Sequence, residues 1–457
     1  MQHEVIVVGG GIGGLTTAAL LAARGVDVCL LERQSQVGGC VANFEHLGYS
    51  FTPTAGLYSG WESGGTWEKV FSELPVGPPT ITKLSPNYVV RLPDGRDVEI
   101  TNDRETFEHN IAHAFSDCSD AALRFFRAVD EIGNKSSPQR VEPVETLLRD
   151  TSRDFRIFID AQLQTFGQRT SSDCSVFQAA MALRMALGDL FSISGDGQAL
   201  ADRLAESLKR SGGLLRLNSP VLRLAYGSDG APMGVDLLNG ERVVATRGVI
   251  SNLTIWDTYG KLIGLNRTPP EISTQLRKAS AWGSYLIFIS VDEEAASGIS
   301  PRLLLTNDLD AEQYDPTSQL LFLNFGSANV ASAPAGKRAM TAWTFTHAED
   351  WFSFHEDSSA HDERDQQELE KQWNRLHAAL PEIGDRAEVI ETATPQTFYE
   401  NTRRKFGMTG LPSLSLESRT PFPNMFLVND TVAGSFGIEA VARLALNAAT
   451  SVASVRL

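Results

Sequence analysis

The chain opens on an apolar run, EVIVVG at 4–9, that is rich in β-branched residues and has no polar position after Glu4. Such a run predicts a parallel strand buried on both faces. Glycines at 9–11 and 13–14 follow, then LTTAALLAARG, whose spacing predicts a helix closed by Gly25. Residues 26–32 (VDVCLLE) predict a second strand, completing a minimal βαβ unit. Between 65 and 190, TWEKVFSEL, ETFEHNIAHAF, DAALRFFRAVDEIG and DFRIFIDAQLQTF predict helices, and PNYVVRLPDGRDVEI predicts a hairpin about Asp94-Gly95. A helix is predicted over 198–212. Strand-like runs follow from 214 to 252 with a turn at Asn239-Gly240, and strands of a second sheet near 282–291, 319–325 and 338–346. The stretch 348–376 predicts a charged helix, NMFLVND (424–430) a strand, and 437–452 a largely apolar helix. The Pro/Gly-rich segments 75–79 and 417–423 are the expected domain crossings.

A length of 457 residues predicts two interleaved domains with a core large enough to need no disulfide or metal staple. A net charge of −16 leaves no extended basic face, which argues against nucleic acid and against adhesion to anionic lipid by charge alone. Peripheral membrane contact through an apolar patch stays open. The first strand begins within a few residues of Met1 and no run reaches the length of a membrane span, so a cytoplasmic protein is expected. Cys29, Cys40, Cys118 and Cys174 have no CxxC spacing, and no metal is expected. His109 and His113 stand at i, i+4 on a predicted helix, but without a third motif-anchored ligand they read as a solvated face. Neither a GxSxG elbow nor an HExxH pair is present.

The strongest chemical signal lies in the first βαβ unit. Gly9, Gly11 and Gly14 satisfy GxGxxG between a buried strand and a helix, and Glu32 follows 18 residues after Gly14 at the end of the second strand. Gly9 permits the tight turn, Gly11 admits a pyrophosphate close to the backbone, and Gly14 lets helix and strand approach. The amides of the helix start, including Ile12 and Gly13, offer partial positive charge to phosphates. Glu32 is placed to accept from ribose hydroxyls and disfavours a 2′-phosphate.

Past Glu32 come Arg33 and the pair Gly38-Gly39, followed by Cys40. This ER…GG continuation resembles the signature of FAD flavoproteins of the amine oxidase and phytoene desaturase superfamily. The similarity extends over nearly the whole chain. GYSFTPTAG (48–56), with Ala55 and Gly56, is similar to the family's segment beneath the isoalloxazine. ISGDGQALADRLAESLKRSGGLLRLNSPV (193–221) resembles the approach that ends in a valine meeting adenine, here Val221. TPQTFYENTRRKFGMTG (394–410) and NMFLVNDTVAGSFGIEAV (424–441) resemble the paired closing motifs of phytoene desaturases, carotene cis–trans isomerases and retinol saturases.

The resemblance implies an α/β fold: a Rossmann-like FAD-binding domain of the amine-oxidase type, interleaved with a mixed-sheet substrate domain capped by helices. The FAD domain is expected over 1–75, 190–255 and 405–457, and the substrate domain over 76–189 and 256–404. By position Asp430 binds the ribityl chain, while the amides of Gly437 and Ile438 face the flavin pyrimidine at a helix N-terminus. The chain departs from the family at Cys40, Thr52, Asn429 and Glu439. Glu439 reads either as a catalytic carboxylate handling protons near the flavin or as a helix-start acid favoured by the dipole. Cys40 reads either as a cofactor contact or as a packing cysteine.

The implied activity is exchange of hydride with flavin N5 at carbon–carbon bonds of an apolar isoprenoid or polyene: desaturation, saturation, or flavin-mediated cis–trans isomerisation. Trp61, Trp67, Phe125, Phe126, Phe155, Phe158, Tyr285 and Phe288 are candidates to line a substrate tunnel, against a reading as ordinary core. An amine- or porphyrinogen-oxidase-like enzyme is the alternative within the superfamily. A non-catalytic lipid escort resembling the Rab GDP-dissociation inhibitors is the alternative outside catalysis.

Overall fold

The computed structural model describes residues 1–133, 142–279, 282–307, 314–326, 332–352, 358–404, 420–433 and 437–454. Residues 405–410 of the first closing motif, 417–419 of the second expected domain crossing, and 434–436 of the second closing motif lie outside the described residues.

Two seven-stranded sheets organise the molecule. In the first, strands Leu214–Arg216, Val28–Leu31, Gln2–Val8, Arg242–Ser251 and Met425–Leu427 run parallel in that order. The hairpin Val221–Tyr226 and Pro232–Leu237 joins the early part of Arg242–Ser251 in antiparallel register, turning at Gly240 as expected. Val5 to Val8 pair Val28–Leu31 on one side and Gly248–Ser251 on the other, which is why this run tolerates no polar residue. Helices Ile12–Ala23, Asp196–Arg210 and Gly437–Ser454 pack together against this sheet. The first of these is buried from Ile12 to Ala22.

The second sheet is mixed, in the order Ala387–Ala393, Gly283–Asp292, Lys337–Thr346, Leu320–Asn324, Arg302–Thr306, Tyr88–Arg91 and Asp97–Ile100. Arg302–Thr306 and Tyr88–Arg91 form its parallel pair. Strand Gly283–Asp292 separates two cores by simple alternation. Leu286 and Phe288 join the inner cluster, while Tyr285, Ile287, Ile289 and Val291 join the outer one under helix Ser358–Ala379.

Helices Arg104–Ala114, Ser119–Gly133, Arg153–Gly167 and Val176–Leu187 cap the inner face. Edge-to-face contacts knit this cap, with Phe107–Phe126 centroids 4.9 Å apart and Phe115–Phe155 5.1 Å apart. Val176–Leu187 was not anticipated from its alanine-rich sequence. Its start is fixed by a capping box in which Ser175 and Gln178 each satisfy the other's backbone amide.

Candidate functional site: a cavity shared by the two sheets

A cavity of about 1120 Å³ runs from the glycine-rich turns to the inner face of the mixed sheet. Its first wall is built by the βαβ unit. Gly9 turns with φ +101°, and a Cβ on Gly14 would lie 2.1 Å from the Gly9 carbonyl oxygen. The turn and the close helix–strand approach therefore both demand glycine. Gly11 caps the first helix without a side chain, and no acidic residue occupies that helix's first turn. The helix start thus meets the cavity, lined here by Gly11, Ile12 and Gly13, and no acid of the helix's own first turn offsets its positive end. The Gly38 amide donates to the Gly10 carbonyl at 2.9 Å, drawing the two glycine motifs together on the cavity floor. Gly38, Gly39 and Cys40 line it beside them.

Glu32 is 9% exposed, and its oxygens accept from the amides of Gly10 at 2.6 Å and Gln34 at 2.7 Å. Two of a carboxylate's about four acceptor positions are used in fixing it, so capacity for ribose hydroxyls remains. Arg33 lines the cavity, but its guanidinium donates to the carbonyls of Glu400 and Asn401, tying the second strand's end to helix Pro395–Thr402. Val221 stands at the same end, flanked by Leu222 and Leu238, which are 51% and 67% exposed. Apolar side chains left open beside this carboxylate offer a face to a flat group.

Further along, Ala55, Asp430, Gly437 and Ile438 line the cavity together. Gly56 packs behind it: a Cβ there would meet the Asn324 amide at 2.8 Å, and its carbonyl accepts from Arg302 Nε at 2.8 Å. Asp430 is paired with Arg404, a cavity residue whose role the sequence did not reveal. Burial alone would lower the guanidinium's pKa, but the Asp430 carboxylate outweighs it and the net shift is upward. Burial pushes the Cys40 thiol up, with Arg404 pulling the other way, so Cys40 is a neutral thiol at the cavity wall.

Glu439 does not join this group. Its carboxylate accepts from Thr66 Oγ1 at 2.5 Å and from Arg443 at 3.2 Å, and its Cγ packs over Gly60. It faces helix Thr66–Ser72 and is absent from the cavity lining, so the geometry supports the helix-start acid and leaves the proton-handling role without a position. Of the eight tunnel candidates, only Phe288 lines the cavity. Trp61 stacks on Trp67 and Tyr285 on Trp351, and the four cap phenylalanines are core.

The aromatics at the far end come instead from scattered segments. Phe44, Phe166, Phe288, Trp343 and Phe345, with Met185, line it, and Phe44 stacks on Phe288 at 4.9 Å. Among the described residues no group of His, Cys, Asp and Glu is arranged to hold a metal, and no helix is long and apolar enough to cross a membrane.

One cavity thus gathers an uncapped helix start, a carboxylate fixed by backbone amides, exposed leucines and, beyond them, a second helix start at Gly437. Comparison with known proteins agrees. The NAD(P)-binding Rossmann-like domain family matches residues 7–74. Prolycopene isomerase 2, chloroplastic, of an Oncidium hybrid cultivar is 24% identical, with 90% of this chain and 75% of that protein covered. All-trans-retinol 13,14-reductase of Danio rerio is 23% identical, with 93% and 82% covered. An oxidoreductase from Methanosarcina mazei superposes with a TM-score of 0.73 at 17% identity, covering 98% of this chain and 99% of its own. The family resemblance read from the motifs and the α/β fold it implied are both borne out.

Proposed function

We propose that this relative of the carotenoid isomerases and retinol reductases is itself an FAD-dependent oxidoreductase acting on carbon–carbon bonds of an apolar polyene. One observation carries the reading: a dinucleotide cradle and an aromatic-walled chamber are two ends of the same cavity. Gly11, Ile12 and Gly13 would hold the pyrophosphate, Glu32 a ribose, and Val221 the adenine. Asp430, Gly437 and Ile438 would hold the flavin end. Bound there, the flavin supplies two-electron chemistry that few side chains can supply.

The chain's own part is to bind, orient and keep dry. Phe44, Phe166, Phe288, Trp343 and Phe345 would present their rings to a conjugated chain, and the burial of the last four would exclude water from the reacting carbons. The carboxylates among the described residues of the cavity wall are already engaged or peripheral: Glu32 by backbone amides, Asp430 by Arg404, Asp257 by Lys261 and Thr254, and Glu391 on an exposed rim position. That arrangement suits bond rearrangement of a hydrocarbon framework better than capture of a cationic amine, for which a free buried carboxylate would be expected. The lipid-escort alternative is disfavoured by the intact cradle of Gly9, Gly11, Gly14 and Glu32.

The test is anaerobic incubation with liposome-borne cis and trans carotenoids and retinol, with the flavin oxidised or chemically reduced, followed by mass analysis. Loss of two hydrogens with oxidised enzyme indicates desaturation, and a gain of two with reduced enzyme indicates saturation. Altered retention at constant mass indicates isomerisation. No turnover in any arm, with FAD bound, overturns the polyene reading.

A further inference from the structure

The aromatic chamber contains one buried hydroxyl that the fold does not use. Ser284 and Ser290 lie on the inner face of strand Gly283–Asp292 and are 6% and 1% exposed. Ser290 Oγ sits 2.7 Å from the Tyr49 hydroxyl. Ser284 lines the cavity, opposite Phe345 in register and on the same wall as Phe288 and Trp343. Among the described residues its hydroxyl has no hydrogen-bond partner. The neighbouring hydroxyls are spent: Thr392 donates to Asp365 at 2.7 Å and Thr165 to the Ala161 carbonyl at 2.7 Å.

The hydroxyl opens into the cavity, so once an apolar ligand displaces water there it is left without a partner, and a chamber for a pure hydrocarbon gains nothing from it. We propose that Ser284 is a specificity residue that hydrogen-bonds an oxygen carried by the substrate. The substrate class is then an oxygen-bearing polyene, an alcohol or carbonyl, rather than a hydrocarbon. This rests on the polyene reading above. It does not depend on which reaction follows.

The experiment uses the flavin-loaded protein and two matched probe pairs: retinol against its deoxygenated hydrocarbon, and zeaxanthin against β-carotene. Dissociation constants are read from quenching of tryptophan fluorescence, with Trp343 in the wall. In at least one pair the wild type should bind the alcohol about five- to tenfold more tightly, the size of one hydrogen bond. Ser284→Ala should bring that ratio to near one while leaving hydrocarbon binding unchanged, and Ser284→Thr, which keeps a hydroxyl, should restore the preference. Ser284→Ala should also melt no lower than wild type, because no intramolecular bond is lost. Equal binding of alcohol and hydrocarbon by the wild type, a ratio that survives Ser284→Ala, or a lowered melting temperature overturns the assignment and leaves the polyene reading intact. Failure of all four probes to bind overturns the polyene reading, and the assignment with it.

Discussion

Arg404 and Asp430 meet in a two-pronged ion pair, Nη1 to Oδ1 at 2.8 Å and Nη2 to Oδ2 at 2.5 Å, with 12% and 14% of their side chains exposed. The pair joins the segment after helix Pro395–Thr402 to the segment after strand Met425–Leu427 at the cavity wall. Removing one partner strands a buried charge. Asp430→Asn is expected to cost about 3–5 kcal/mol in urea unfolding, and Arg404→Met with Asp430→Leu distinctly less than the single change. A single-variant loss under about 1 kcal/mol would show that the pair behaves as a solvated one.

Gly14 and Gly11 should separate folding from cofactor capture. At Gly14 an added Cβ meets the Gly9 carbonyl at 2.1 Å, backbone that cannot give way. At Gly11 it meets only the end of the Asn252 side chain, at 2.7 Å, and Gly11 has an ordinary φ of −74°. Gly14→Ala should leave little folded protein. Gly11→Ala should fold, with a far-UV spectrum like wild type, yet retain much less FAD through gel filtration.

Glu32 is held in place by two backbone amides whatever it binds. Glu32→Gln keeps the shape but loses charge on an acceptor shared by those amides and by ribose hydroxyls. FAD dissociation, followed by recovery of flavin fluorescence, should weaken about tenfold or more. Unchanged affinity would place the ribose elsewhere.

Asp160 makes stability depend on pH. Burial raises its carboxyl to about 6, against the Ser171 amide, which lies 2.5 Å from it and lowers it. In an unfolded chain an aspartate titrates near about 3.9. Between these values the native state holds a proton that the unfolded state has released. Stability from this group is therefore full below the lower value and lost as pH rises toward the upper one. Asp160→Asn should be more stable than wild type at pH 7, by on the order of 2 kcal/mol, with the advantage gone near pH 4. Denaturant titrations at the two pH values measure this. An equal difference at both would exclude titration of Asp160 as the cause.

What the sequence disclosed were features whose constraint is local. Gly9, Gly11, Gly14 and Glu32 are fixed by one turn, one helix start and one strand end, all within the first 32 residues. The Asp94-Gly95 hairpin has the same character. The chamber does not, because Phe44, Phe166, Phe288, Trp343 and Phe345 become neighbours only when the cap and the second sheet close. Within strand Lys337–Thr346, Trp343 and Phe345 share the inner face by a period of two, a signal that shows a face but not what it meets. Glu439 illustrates the converse. Its place at a helix start was legible, but the direction of its side chain depends on Thr66 and Gly60, hundreds of residues away. Arg404 lay inside a recognised motif, yet nothing local announced its partner at 430.

The parallel sheet takes its strands from residues 2–31, 214–251 and 425–427, and the helix that begins at Gly437 closes one side of the cavity. A chain emerging from the ribosome therefore carries its glycine-rich turn long before the far side of that pocket has been synthesised. Asp430, Gly437 and Ile438 follow Glu32 by about 400 residues. If the cavity holds flavin as proposed, stable loading waits for these residues, and nascent chains that stall before about residue 430 should be colourless, however well their amino-terminal βαβ unit has folded.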